Sequence, residues 1–426
     1  MKAVLLAAGA GERLMPLTAT RPKHLIKVGG KPILQHCLDA LKTCGVTEAV
    51  IVTHYMSEAI RGFFGNGSKF GVKIKYVEQE AVLGTGNALS VAEPYVDGDF
   101  VVVYGDLLFG AEAVKSAVDC FEREKPVAVM AVVPVDKPES YGIIEFGRGK
   151  AVKRIVEKPS QGKAPSNLAN AGLYVFGMGV FDELRKVKAS VRGEYELTDA
   201  VTSMAKGKKT VLAVEIGKGD WFDIGRPWDL LDANAWALKR MQPKVLGTVE
   251  DGAHLIGPVS VAKTARVRSG AYIEGPCFID EGADVGPNCF IRPCTSIGKN
   301  ARVGNACEVK NSIIMDGTHV GHLSYVGDSV FCEKCNLGAG TLMANLRFDD
   351  GHVMMMVKDK VVDTGRRKLG VILGDNVKTG INALFMPGVK VGNNCWVGAG
   401  LMVERDLPPN TIAVLKQNWS TQEKKK

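Results

Sequence analysis

The residues with the clearest chemical purpose stand near the N-terminus. An apolar run, Lys2–Ala7, opens into Ala8-Gly9-Ala10-Gly11-Glu12-Arg13, and Arg21-Pro22-Lys23 follows shortly after. Gly9 and Gly11 have no Cβ, so backbone N–H groups there can approach phosphate oxygens closely. Position 14 is Leu, so the third glycine of a dinucleotide fingerprint is missing. No Gly-Lys-Ser/Thr follows, which excludes a P-loop. Arg13 and Lys23 set the loop apart. One basic group can meet a departing pyrophosphate and the other a reacting phosphate. Without the whole string, the plain reading is a strand-to-helix turn with solvated basic side chains. The other tight chemical spacing is Cys332-x-x-Cys335. A structural zinc site needs four ligands, and no second close pair exists, so zinc is disfavoured.

Alternating elements must position this loop. Lys2–Ala7, Ala49–Val52, Lys73–Val77, Phe100–Tyr104 and Ala128–Val133 read as strands. Ile33–Leu41, Ser57–Phe64, Thr85–Ala92 and Glu112–Glu124 have helical spacing or helix-start residues, and a last helix spans Pro227–Met241 before Pro243. The alternation predicts an α/β, mostly parallel sheet with ligands at its strand ends.

After about Gly247 apolar residues recur every six positions, from Val261, Val267 and Ile273 to Val303 and Val309. Small residues sit two places before each hit, from Ala265 to Cys307. Each hexapeptide reads as one side of a triangular parallel β-helix, with the small residues at its crowded inner corner. That makes Cys277, Cys289 and Cys307, with Cys395, packing units. The pattern slips at Asn311–Met315, breaks over Asn345–Leu369 and returns from Leu373 to Val403. The expected domains are 1–242 and 243–426.

The chain has 426 residues and a formal net charge of +8, with 46% hydrophobic and 23% charged residues. This is ordinary globular composition, with enough apolar material for two cores. The excess of basic residues is spread out, which suits anionic small molecules and gives no nucleic-acid footprint. No apolar run approaches the ~18–20 residues of a membrane span. The N-terminus lacks a signal-peptide layout, so a cytoplasmic protein is expected. Lys424-Lys425-Lys426 reads as a frayed tail.

The loop residues resemble the Leu-Ala-Ala-Gly-x-Gly-x-Arg…Pro-Lys signature of sugar-1-phosphate nucleotidylyltransferases, and the likeness continues to about residue 235. The resemblance implies a Rossmann-like nucleotidyltransferase fold with a mixed, mostly parallel sheet. It assigns nucleotide contacts to Ala7, Ala8, Gly9, Gly11, Gln79, Gly84 and Thr85, and catalytic charge to Arg13 and Lys23. Tyr104, Gly142, Glu157, Lys158, Asn170 and Thr198 match the sugar-phosphate site. Asp106 and Asp223 match the Mg²⁺ ligands. In such chemistry a sugar phosphate oxygen attacks the α-phosphorus in line. The nucleophile is already ionised, so positioning and charge neutralisation suffice.

The second half resembles the left-handed β-helix acetyltransferase domain of bifunctional glucosamine-1-phosphate acetyltransferase/GlcNAc-1-phosphate uridylyltransferases, in a form closest to the archaeal branch. Gly321-His322-Leu323-Ser324-Tyr325-Val326-Gly327-Asp328 and Asn336-Leu337-Gly338-Ala339-Gly340-Thr341 carry the likeness. It implies His322 as the base that takes a proton from the attacking amine. Arg292 and Lys310 would hold the sugar phosphate, with Tyr325, Asn336 and Asn345 on the amino sugar. Acetyl-CoA would fall to Lys368, Lys378 and Ala399, with Arg366 and Arg367 as further basic candidates. Where the family has basic residues after Asn345, this chain reads Asp350-Gly351-His352 and next offers Lys358 and Lys360. The expected partners are a nucleoside triphosphate, a sugar-1-phosphate (glucosamine- or galactosamine-1-phosphate for acetylation) and acetyl-CoA. A homotrimer or dimer of trimers is expected from the hexapeptide repeats. Two alternatives stand beside this reading. One is a single-activity glucose- or mannose-1-phosphate nucleotidylyltransferase with a β-helix for assembly. The other is a non-catalytic exchange-factor-like subunit, which the presence of Arg13, Lys23, Asp106 and Asp223 argues against.

Overall fold

The computed structural model describes residues 1–190, 193–206 and 210–424. The last two lysines of the basic tail lie outside them. The chain forms two compact units: residues 1–11, 21–26 and 31–225, and residues 12–20, 27–30 and 226–426.

In the first unit, strands β1 (Lys2–Ala7), β2 (Glu48–Thr53), β3 (Lys73–Glu78) and β4 (Phe100–Tyr104) run parallel in the order β4-β1-β2-β3. Both faces of β1, β2 and β4 are apolar because both are covered, while β3 forms the edge, with Lys73 and Lys75 exposed. Ala3, Leu5, Val101 and Val103 enter one core, with helices α1 (Ile33–Thr43) and, after a short strand β5 (Leu107–Phe109), α4 (Ala111–Glu124). Val4, Val50, Val102 and Phe100 enter the other. Helices α2 (Ser57–Phe64) and α3 (Thr85–Ser90) cross between the early strands.

Beyond β4 the sheet becomes antiparallel. β6 (Ala128–Pro134) and β7 (Gly142–Phe146) both pair with β9 (Leu168–Phe176), which pairs with β4. β8 (Val152–Glu157) closes the edge on β7, and β10 (Val211–Glu215) runs parallel to β6. Helices α5 (Gly179–Leu184) and α6 (Leu197–Lys206) pack on the second core. A two-stranded ribbon joins β5 to β11 (Trp221–Asp223).

The second unit is a left-handed β-helix of three parallel sheets. Successive coils pair 18 residues apart, as in Thr248 with Arg266 and Arg266 with Asp284. The nine hexad positions from Val261 to Val309 are all fully buried, and Ala265, Ala271, Cys277, Ala283, Cys289, Ala301 and Cys307 line the same core. The slip near Asn311 has a simple cause. Arg302 pairs with His319, so this coil is one residue short. The break is a long insertion carrying an antiparallel hairpin, Met354–Val357 with Lys360–Asp363, after which Val330 pairs with Ile372. Cys332 and Cys335 are buried, and Cys335 lies in the coil core. Helix α7 (Asp229–Arg240) groups with this unit, as do residues 12–20 and 27–30. The side chain of Asn234 on α7 accepts from Ser296 Oγ at 2.7 Å and donates to the Cys294 carbonyl at 2.9 Å. No helix among the described residues is long and apolar enough to cross a membrane.

Candidate functional site

The first cluster gathers at the carboxyl ends of β1 and β4. Ala7 and Ala8 are buried where β1 ends, and Gly11 adopts φ +70°. A Cβ on Gly9 would lie 3.3 Å from Lys23 Nζ, so the glycine leaves the lysine its place. Lys23 follows Pro22 at the start of a single 3₁₀ turn, and its ammonium hydrogen-bonds the Asp106 carboxylate. The two side chains are 15% and 20% exposed. Burial pushes the Asp106 carboxyl up; the Lys23 ammonium, by charge and hydrogen bond, outweighs it and holds the group below the usual range. Asp223 stands opposite Leu107 in the β5–β11 ribbon, and the Ile224 N–H donates to the Asp106 carbonyl at 3.2 Å. The ribbon thus brings the two aspartates within one register step.

A divalent cation suits this donor set. Asp106 already holds one cationic group, and the carboxylates of Asp106 and Asp223 offer hard oxygen donors. No group of three or more His, Cys, Asp or Glu side chains converges among the described residues. Two carboxylates completed by phosphate oxygens and water match the demands of Mg²⁺, which seldom uses an all-protein cage.

His24, next to Lys23, escaped the sequence reading. It is 1% exposed, and neither ring nitrogen has a hydrogen-bond partner among the described residues. Burial first, and then the Lys23 charge, push its pKa down to about 3, so it is neutral. A neutral ring leaves Lys23 the sole counter-charge to Asp106 from this turn. A histidine beside the Pro-Lys pair was the available signal.

Gln79, Gly84 and Thr85 form the second part. Gln79 is buried, and its amide nitrogen donates to Asn87 Oδ1 at 2.7 Å and to the Gly84 carbonyl at 3.3 Å. Gly84 has φ +101°, and a Cβ there would lie 2.6 Å from the Tyr195 carbonyl. Thr85 Oγ1 accepts the Leu197 N–H at 3.1 Å, which ties the start of α3 to that of α6 and to buried Thr198.

The third part lies over β7, β8 and β9. A Cβ on Gly142 would lie 2.8 Å from Glu157 Oε2 and 3.9 Å from Asn170 Cβ, so the missing side chain creates the space these two share. Burial pushes the Tyr104 phenol above its ordinary range; its neighbours include Tyr174, Thr85, Asn170 and the charge of Glu157. Tyr104 and Tyr174 hydroxyls are 3.4 Å apart. Lys158 is exposed at φ +45°, its N–H bonded to the Tyr141 carbonyl. Trp221 donates its indole N–H to the Ala171 carbonyl at 2.9 Å and packs edge-on to Tyr141.

Arg13 is exposed in a short 3₁₀ turn, Glu12–Leu14, and groups with the second unit. Glu12 there pairs with Lys358 at the hairpin tip.

In the β-helix, Arg292, Lys310 and Tyr325 lie on successive rungs of one sheet. Arg292 donates to Glu308 Oε1 at 2.9 Å. Asn345 Nδ2 donates to Tyr325 Oη at 3.2 Å and to Asp328 Oδ2 at 2.6 Å. His322 is exposed at the corner just before Tyr325, with its carbonyl accepting from Ser324 Oγ at 2.7 Å. Asn336 lies on the sheet whose preceding rung, His319–His322, carries His322. It sits between His319 and Lys378, and the Gly380 turn after Lys378 abuts Ala399. Lys368 bridges Leu346 at the root of the insertion. Arg366 and Arg367 are engaged by Asp232 and Asp350, at 2.7 and 2.6 Å.

Residues 2–240 match the nucleotidyl transferase family, and residues 273–384 match the GMPPB C-terminal domain. The chain is 44% identical over 412 residues to the bifunctional protein GlmU of Methanocaldococcus jannaschii, covering 97% of both chains. It is 40% identical over 409 residues to a bifunctional sugar-1-phosphate nucleotidylyltransferase/acetyltransferase of Sulfurisphaera tokodaii, covering 96% of this chain and 98% of that one. Among solved structures, UDP-glucose pyrophosphorylase complexed with UDP-glucose superposes with a TM-score of 0.51 at 27% identity, covering 56% of this chain and 99% of that one.

Proposed function

The chain belongs to the family of bifunctional sugar-1-phosphate nucleotidylyltransferase/acetyltransferases, and we propose from that premise how its residues divide the work. The first half transfers a nucleotidyl group to a sugar-1-phosphate and releases pyrophosphate. The substrates we infer are UTP and N-acetylglucosamine-1-phosphate. The β-helix acetylates glucosamine-1-phosphate with acetyl-CoA and so supplies the second substrate.

The observation that carries the first activity is the Lys23–Asp106 pair beside Gly9, with Asp223 one register step away. Bound by Asp106 and Asp223, Mg²⁺ would neutralise triphosphate charge. Lys23 meets the phosphate undergoing substitution, and the backbone at Gly9 and Gly11 binds the same polyanion. Arg13 carries charge for the leaving pyrophosphate. Gln79, held by Asn87, reads the base, and Gly84 and Thr85 seat the nucleoside. Glu157, Asn170 and Tyr104 orient the sugar hydroxyls, with Lys158 and Thr198 at its phosphate. No general base is required, because the attacking phosphate oxygen is already ionised.

In the β-helix, His322 takes a proton from the neutral amine as its nitrogen attacks the thioester carbon. The carbon–sulfur bond then breaks, and the departing thiolate recovers that proton from His322 and leaves as the thiol. Arg292 and Lys310 hold the sugar phosphate, Tyr325, Asn336 and Asn345 orient the amino sugar, and Lys368, Lys378 and Ala399 contact acetyl-CoA. The exposed apolar side chains Tyr272, Leu342 and Met402, on one sheet of the coil, support a homotrimer or a dimer of trimers. Asp106→Ala and Asp223→Ala test the first activity. Each should lower pyrophosphate release by at least ~100-fold while acetyl transfer persists. Near-wild-type rates in both would refute the metal assignment.

A further inference from the structure

We propose that Asp328 is a positioning residue for acetyl transfer. It sets the direction of the Asn345 amide and the place of the Lys310 ammonium. The inference rests on the acetyltransferase reading and deepens it.

Asp328 sits at a corner of the coil with φ +50°. This chain has a repeated solution for such corners. Asn288, Asn300, Asn376, Asn382, Asn394 and Asn410 all have positive φ, where a short amide side chain tolerates the left-handed backbone. Corner geometry alone would therefore be met by Asn at 328, without a charge. The carboxylate found there is 4% exposed, and a buried charge is costly unless paired and hydrogen-bonded.

Its partners show what the charge does. The rungs align Asn311, Asp328 and Asn345 in one column, since Lys310 pairs with Gly327 and Val326 with Met343. Asn311 Nδ2 donates to Oδ1 at 2.7 Å, and Asn345 Nδ2 donates to Oδ2 at 2.6 Å. Lys310 Nζ approaches Oδ2 at 3.4 Å. An ionised carboxylate accepts only, so it admits one orientation of the Asn345 amide. The amide nitrogen is committed to Asp328 and Tyr325, which leaves Oδ1 as the acceptor offered to a ligand. An amine must present its lone pair to the thioester carbon, and an acceptor for its N–H bonds fixes that direction. An Asn at 328 could present either end of its amide and would lose this selection. The column is also tight. A Cβ on Gly327 would lie 2.5 Å from Tyr325 Oη and 2.6 Å from Asn345 Nδ2, so the glycine lets the pair close over Asp328.

The test is Asp328→Asn in the full chain, because Asn311 (φ +44°) already occupies the same corner one rung below. Asp328→Ser is the second variant, should the first fold poorly. The KM for glucosamine-1-phosphate should rise about tenfold, the scale of one lost charge-assisted contact. The KM for acetyl-CoA, and uridylyl transfer to preformed N-acetylglucosamine-1-phosphate, should stay within twofold. Lys310→Met should absorb part of the effect, so that Asp328→Asn costs less in the Lys310→Met background. Unchanged acetyl-transfer kinetics in Asp328→Asn would overturn the proposal, as would an equal loss in both activities. A wild-type chain that releases no thiol from acetyl-CoA would instead overturn the acetyltransferase reading underneath it.

Discussion

Replacing Lys23 by Met should destabilise the metal-free protein, and more so at neutral pH than in acid. The substitution keeps the length of the side chain and removes the ammonium that balances Asp106. Breaking a fully buried ion pair by deleting one partner costs roughly 3–5 kcal/mol. Here the side chains retain 15% and 20% exposure, so solvent shields part of that loss, and about 2 kcal/mol is the fitting figure. For a unit of this size that corresponds to a Tm lowered by about 4–8 °C. The pH dependence has a definite sign. In the wild type the Asp106 pKa lies below its unfolded value. Its stabilisation is present above the unfolded carboxylate pKa and is lost as pH falls through the folded one. Without Lys23 the largest remaining influence is burial, which raises the pKa. Asp106 in the variant then takes up a proton more readily, and a neutral acid needs no counter-ion. The Tm deficit should therefore be full at pH 7.5 and shrink towards pH 4. Thermal melts followed by near-ultraviolet circular dichroism, in EDTA and at constant ionic strength, measure both points. A Tm within 1 °C of wild type at pH 7.5, or a deficit of the same size at both pH values, would refute the electrostatic argument.

His322→Ala should abolish thiol release from acetyl-CoA with glucosamine-1-phosphate while pyrophosphate release continues; full retention of acetylation would discard the base assignment. Gly142→Ala should raise the KM for the sugar-1-phosphate about tenfold, because the new Cβ would press on Glu157 Oε2 from 2.8 Å. The KM for the triphosphate should move little, and equal changes in both would argue against a separate sugar subsite.

The hexad repeat was legible because each coil side buries one large residue at a fixed spacing, and Val261 through Val309 obey it without exception. Its slip could be seen in the sequence, but the cause needed the pairing of Arg302 with His319. The strands of the parallel half were legible from their apolar runs, as Lys2–Ala7 and Phe100–Tyr104 show. The antiparallel half was harder to read. Gly142, Glu157 and Asn170 lie on three strands whose register depends on long-range pairing, and only the family likeness grouped them in advance. Charge pairing was the least visible layer. Nothing local in sequence says that Lys358 meets Glu12, that Arg366 meets Asp232, or that Asp328 gathers Lys310, Asn311 and Asn345.

The two activities on one chain can be tested in a single time course. The full-length protein is supplied with glucosamine-1-phosphate, acetyl-CoA, UTP and Mg²⁺, and thiol and pyrophosphate are followed together. Thiol release should lead, and pyrophosphate should follow after a lag as acetylated sugar phosphate accumulates. Pyrophosphate formed without thiol release, or no product from either reaction, would contradict the account.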